Sequence, residues 1–453
     1  MEAITHLNVH VVGVPFQKIL GLEIKHFIND HATAVLTAEA EPMLAMSLLN
    51  RADEKVSVRI VTTAAGQPDT LFYGVLSNAE VDAQGEYAIV TITLKSFSAL
   101  VDYKKGNQSF QNTSESHESV ISTVLNGAIN LDFLASDKPI GHIIVQCNET
   151  PWEFAKRMAS EVYAPLVASL HKSLITVGIP HGVHSYTLSN YSTTSSAGMG
   201  GMTPGSSVGV CVKTMQYAYV GDSISLSGRS LLVKGITASL QTGVLESQIS
   251  VSDASGFRQI PITNTQISGK MFLGKVMAVQ LDKVKVHLVD IDDSFSEGSC
   301  NVWLPYSTAY SSSDGSGFYC MPAVGDQVRV FFPGSNEGQA FAASSVSQSP
   351  GAKVTDKQWT GPNGKQILLT DEGIFITTNA NDNKIFINLT DANGITISSD
   401  KNINICAKKN LSLISNNSIS ISAKNDILIS SADAYIDVTP KEIEIAANNV
   451  VIK

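Results

Sequence analysis

Between Asn388 and Lys453, pairs of apolar residues separated by one other residue return every eighth position. Ile395/Ile397, Ile403/Ile405, Leu411/Leu413, Ile419/Ile421, Ile427/Ile429 and Ile443/Ile445 hold the register; Ile387/Leu389 fits it well, and Tyr435/Asp437 fits only at its first place. Apolar residues at alternate positions mark a short strand with one buried face. Asn, Lys or Asp precedes each pair where the chain must turn, as at Asn393, Lys401, Lys409, Asn417, Asn425 and Asp433. A strand repeat this short and strict specifies a solenoid.

An octad cannot close a coil by itself, because an ordinary single-chain β-helix needs about three faces and roughly 20 residues per coil. The missing faces have to come from other chains. Three copies wound about one axis supply them, each octad giving one face with its isoleucine pair turned inward. The sequence therefore predicts a homotrimer with a needle core of Ile387, Ile395, Ile397, Ile403, Ile405, Leu411, Leu413, Ile419, Ile421, Ile427, Ile429, Ile443 and Ile445. The alternative, a monomeric β-sandwich, needs longer strands and glycine-rich turns.

Composition bounds the partners. A net charge of −10, tripled in a trimer, repels phosphate backbones and disfavours nucleic acid. The opening MEAITHLNVHVVGV lacks the basic region of a secretion signal, and no uninterrupted apolar run reaches spanning length. Cys147, Cys211, Cys300, Cys320 and Cys406 are scattered, never spaced as CxxC, and read as reduced and cytosolic, with Cys300 and Cys320 as buried free thiols.

The fold class expected is mainly β with an α+β insertion. Residues 1 to about 100 read as short strands, among them Thr33–Glu39, Val56–Thr63 and Tyr87–Leu94, and a small barrel or sheet is their natural product. Two helices follow. The first starts at Ser114 or Ser116; the second has Thr150 as N-cap, Pro151 at its first position and Glu153 completing a capping box. Ser192–Ser207, rich in Ser, Thr, Gly and Met without periodicity, reads as a mobile surface loop. Strands resume at Val208, so β, α+β, β order suggests a barrel interrupted by an insertion at about 100–190. The expected domains are a hub at 1–265 with two barrel-like parts, an OB-fold at 266–348, a transition at 349–386 with a hairpin turn at Asn363-Gly364, and the trimeric β-helix at 387–453.

The segment NETPWEFAKRMASEVYAPLVASLHKSLITVG, with Glu149, Thr150, Phe154, Arg157, Met158 and Gly178, resembles a stretch of VgrG-type spike proteins. Upstream, SFSALVDYKKGNQSFQNTSESHESVISTVL is similar to the arm of the same family. Downstream, PAVGDQVRVFFPGSNEGQAFAASSV is similar to its OB-fold signature, with Gln327 where Glu is usual, and KQWTGPNGKQILLTDEGIFITT to its neck. The resemblance implies a homotrimeric spike of a contractile injection machine, of the type VI secretion or phage-tail kind. It implies barrels matched to a six-fold tube, docking on an Hcp-like tube protein and baseplate, possible effectors, and a target membrane met only on injection. Assembly in the bacterial cytoplasm followed by export or injection on contraction goes with that reading. A PAAR-like cap is expected over the tip residues Val450, Val451, Ile452 and Lys453, because open strand edges at a blunt end invite unwanted pairing.

No enzyme, cofactor or metal is expected. Gly205-Ser206-Ser207-Val208-Gly209 satisfies GxSxG but lacks the strand before and helix after that a nucleophile elbow needs. His181 and His184 lack a third ligand. Asp290, Asp292 and Asp293 lack the glycine and distal glutamate of a calcium loop and read as a solvated loop. A tail-fibre or adhesin shaft binding surface polysaccharide is the second reading; it calls for aromatic grooves, and the needle offers only Phe386 and Tyr435.

Overall fold

A computed structural model describes residues 3–50, 56–188, 191–196, 209–241, 243–293, 300–347, 353–379 and 384–451. The chain divides into two compact units, Met1–Gln348 and Ser349–Lys453.

Strict alternation builds the main sheet of the first unit. In Tyr87–Lys95, Ala88, Val90, Ile92 and Leu94 all turn to the core, and Thr33–Ala40 alternates the same way beside it. The sheet runs Val9–Val12, Ser57–Thr62, Asp69–Gln84, Tyr87–Lys95, Thr33–Ala40, Lys18–Phe27, Arg229–Leu240, Glu246–Ser252, Gly209–Thr214 and Ser192–Ser196. Ser223–Leu226 and Ser185–Thr187 branch from Arg229–Leu240 and bring it to twelve strands. Lys18–Phe27 pairs antiparallel with Arg229–Leu240, so the strands before and after the insertion share one continuous sheet and one core. At that seam a side chain on Gly235 would sit 2.2 Å from the Phe27 ring, which explains the glycine.

Two local readings are corrected here and a third, left between two residues, is resolved. Pro42–Asn50 is a helix in a region read as strands only, with proline at its first position. Ser192–Ser196 is a strand paired with Gly209–Thr214, because the backbone ladder needs no apolar run; residues 197–208, which hold most of GxSxG, lie outside the described residues. Ser116, not Ser114, caps the first insertion helix, His117–Leu125, accepting the Ser119 amide.

The second insertion helix, Pro151–Glu161, starts on a full capping box: Thr150 Oγ1 accepts the Glu153 amide, and Glu153 accepts the Thr150 amide. It buries Trp152, Phe154, Ala155 and Met158 against the His117–Leu125 helix and the small sheet of Leu166–Ala168, Leu174–Val177 and Asn130–Phe133. Ile144–Glu149, just ahead of it, pairs with Gly106–Phe110.

Five strands then close a barrel in the order Met271–Gln280, Lys283–Leu288, Leu304–Ser307, Phe341–Ser345 and Gln327–Phe331. All neighbours are antiparallel except Leu304–Ser307 with Phe341–Ser345, the connectivity of an OB-fold. Its core of Val276, Val284, Val286, Leu288, Val328, Val330 and Phe332 also contains Ile143, Val145 and Cys147. The opposite side of the same stretch, Ile144, belongs to the helical core.

The second unit holds a five-stranded meander of Lys357–Thr360, Gln366–Thr370, Gly373–Thr377, Phe386–Thr390 and Gly394–Ser398, and a three-stranded one of Ile427–Ser431, Ala434–Val438 and Ile443–Ala446. Asn363 and Gly364 both have positive φ, at 62° and 73°, and turn the first hairpin. Residues 399–426, the centre of the octad repeat, form no ladder within the chain.

Candidate assembly surface

The register of the five-stranded meander sets aliphatic residues opposite one another. Ile367 faces Ile376, Leu369 faces Ile374, Ile376 faces Ile387, Leu389 faces Ile395, and Ile387 faces Ile397. These eight side chains therefore share one face of the sheet, and all eight are exposed. Leu368, Phe375 and Phe386 occupy the other face and are half-buried. The aliphatic face is thus the less covered one in the single chain, the inverse of a folded sheet. It begins at Ile367, twenty residues ahead of Ile387; the octad spacing fails between them because the intervening turns differ in length.

The remaining predicted core residues follow the same rule. Ile403, Ile405, Leu411, Leu413, Ile419 and Ile421 are all more than half exposed. Ile427, Ile429, Ile443 and Ile445 line a face of the second meander, completed by Ile436, opposite both Ile429 and Ile445, and by Val438, opposite both Ile427 and Ile443. Tyr435 and Asp437 point the other way, and the Tyr435 hydroxyl donates to Glu444 at 2.6 Å. The weak octad is a strand whose inward residues are offset by one. Of the residues expected at the tip, Val450 and Val451 are exposed and outside any strand, and Ile452 and Lys453 lie outside the described residues. Among the described residues, Ile443–Ala446 is the last strand and pairs on one side only, with Ala434–Val438.

The other candidates resolve into structural roles. Asp292 accepts the Ser109 amide at 2.6 Å and its hydroxyl at 2.5 Å, and Asp290 accepts the Leu273 amide at 2.6 Å. Both carboxylates tether backbone; Asp290 and Asp293 are exposed, while burial raises the half-buried Asp292 despite those bonds. His181 is exposed, while His184 stacks on Tyr186 and lies 3.7 Å from Asp222. Asp222 itself is spent on the amides of Val183, His184 and Tyr219. Only Cys147 and Cys300 are buried, and Cys320 and Cys406 are exposed. Burial pushes the Cys300 thiol up to about 11. No group of three or more His, Cys, Asp or Glu among the described residues could hold a metal ion. None of the helices described is long and apolar enough to cross a membrane.

One arrangement that sequence spacing does not reveal is a Ser-His-Asp chain. His31 Nδ1 lies 2.7 Å from Ser98 Oγ, and Nε2 lies 2.9 Å from Asp102 Oδ2. Nucleophilic chemistry needs a hydroxyl that substrate can reach. Ser98 is 1% exposed, shares its hydroxyl with Ser96, and sits beneath an imidazole packed on Trp152. Thr150 Oγ1 bonds the far oxygen of Asp102. The chain of bonds fastens the sheet to the start of the Pro151–Glu161 helix.

The motif residues Glu149 and Arg157 meet in the interior. Arg157 Nε and Nη2 donate to the two oxygens of Glu149, both at 2.8 Å, Nη2 also reaches the Val145 carbonyl at 2.9 Å, and Nη1 reaches Glu337 at 3.2 Å. Glu337 in turn accepts the Val145 amide at 3.0 Å. Asn264 donates to Glu149 at 3.0 Å. Burial opposes the charge on Arg157, but the two carboxylates outweigh it and raise the guanidinium above its ordinary value. This junction joins the insertion to the barrel.

Residues 272–346 match the type VI secretion system/phage-baseplate injector OB domain family. No curated protein matches the chain. Among solved structures, it is similar to the E. coli c3393 protein, a type VI secretion component with structural similarity to the T4 bacteriophage tail proteins gp27 and gp5. Identity is 13% and the TM-score 0.53, over 75% of this chain and 99% of that one. It is also similar to the Francisella PdpA-VgrG complex in its half-lidded form, at 10% identity and a TM-score of 0.55, over 88% of each chain. For the lidless PdpA-VgrG complex the figures are 10%, 0.54, 84% and 93%. The chain has the mainly β fold of these structures, with the matched injector OB domain in it.

Proposed function

We propose that this chain is the structural spike of a contractile injection apparatus and that it works as a homotrimer. The observation that carries the reading is the aliphatic face of residues 367–397, uncovered in the single chain and continued by octads that make no ladder of their own. Apolar burial is worth about 25 cal/mol per Å², so a face of this kind drives association. Its occupant is the same face of two further copies. The repeat returns with the same period along most of its length and is too short to close alone, and interwound copies satisfy both the side chains and the unpaired backbone.

In this reading the first unit docks on an Hcp-like tube and baseplate, and the second unit is the needle driven through the target envelope with attached effectors. A PAAR-like cap covers the end near Ile443–Ala446 and the tip residues Val450–Lys453. The spike acts mechanically and without catalysis, is assembled in the bacterial cytoplasm, and leaves it on contraction. The mass of the purified full chain in solution tests the core of the proposal. A trimer is expected, and a stable, soluble monomer overturns it.

A further inference from the structure

We propose that Glu337 is the release point of a proton-linked clasp between the OB barrel and the α+β insertion, closed when its carboxyl holds a proton and loosened when it does not. The argument is one of charge count and geometry. Arg157, Glu149 and Glu337 are all buried and bring one positive and two negative charges into an enclosed space. A buried charge without a full partner is strongly destabilising. Glu149 grips the guanidinium through two bonds and gains a third from Asn264. Glu337 has a single, longer bond to Arg157 and one amide. It is the less compensated carboxylate.

The other charged groups nearby do not correct the imbalance. Glu161, on the same helix as Arg157, adds negative charge toward Glu337 and is itself paired with His117 at 3.2 Å. His142 abuts Gly338 and acts on Glu161, and Lys270 is 3.6 Å from Cys147. Glu337 sits in the short turn Glu337–Gln339 beside Ile144–Glu149, so its single carboxyl touches both bodies. Breaking it unpins the Val145 amide, whose side chain fills the barrel core.

Burial pushes Glu337 from its ordinary 4.5 up to about 7, against the pull of Arg157. Water entering an opened junction returns the group toward the ordinary value. Closure therefore takes up a proton between these two values and weakens as pH rises through about 7. Between about pH 6 and about pH 8 the closing equilibrium falls roughly tenfold.

Amide exchange of the full chain at those two pH values, corrected for intrinsic chemistry, tests the clasp through Val145. Protection is expected to drop about tenfold at the higher pH, and Glu337→Gln, neutral throughout, to abolish that difference. Equal wild-type protection at both pH values overturns the proposal, as does an E337Q protein that keeps the dependence. Should E337Q fail to fold, the Glu337 carboxyl carbon shift of the wild type decides. A midpoint near neutrality supports the clasp, and one in the ordinary carboxylate range overturns it.

Discussion

The guanidinium of Arg157 meets the carboxylate of Glu337, 180 residues further along the chain, at 3.2 Å in a space closed to solvent. Arg157→Met leaves two buried carboxylates without their cation. Unit stability is expected to fall by about 3–5 kcal/mol in urea unfolding at pH 8. The deficit should narrow toward pH 5, because orphaned carboxyls with raised affinity for protons destabilise more as pH rises.

The OB barrel does not own its whole core. Ile143→Ala in the full chain should cost about 2–5 kcal/mol, although residue 143 lies far outside the matched OB segment 272–346. Residues 266–348 expressed alone should lack a cooperative thermal transition. A sharp melt from that fragment would show that Ile143, Val145 and Cys147 are dispensable.

On the aliphatic face, Ile376 lies opposite both Ile367 and Ile387. Ile376→Glu places a charge where copies are proposed to meet, and burying it unpaired is prohibitive. Sedimentation should show loss of the trimer while circular dichroism of the first unit stays unchanged. Wild-type sedimentation by the variant would count against the assembly.

Thr150→Ala removes an N-cap and with it the bond to Asp102. The expected cost is about 0.5–2 kcal/mol by thermal denaturation. Thr150→Ser keeps the oxygen and should restore most of it.

Ser98 is buried beneath His31 and should not react with a fluorophosphonate probe. Mass spectrometry of labelled peptides decides, and modification of Ser98 would reveal a substrate path and count against the proposed mechanical role.

What the sequence discloses follows from how local each signal is. The capping box at Thr150, Pro151 and Glu153 is complete within four residues, and the structure forms it in full. The alternation of Tyr87–Lys95 names its own buried face. Ser192–Ser196 escapes, because a strand of Ser and Thr carries no apolar period. Ile436 escapes for the opposite reason: the eight-residue count keeps naming Tyr435 and Asp437 after the strand has shifted by one. Glu337 is invisible in advance, since nothing in Asn336-Glu337-Gly338 announces a partner so far upstream.

Ile144–Glu149 serves two cores at once, with Val145 and Cys147 inside the barrel and Ile144 among the helices. For inheritance, this makes the barrel a poor unit of exchange. A recombinant that swaps only residues downstream of 266 inherits a barrel cut for another chain's plug. Crossovers that keep the barrel with its plug fall outside the first compact unit, which ends at Gln348. The lineage of such chains should then show barrels travelling with their insertions.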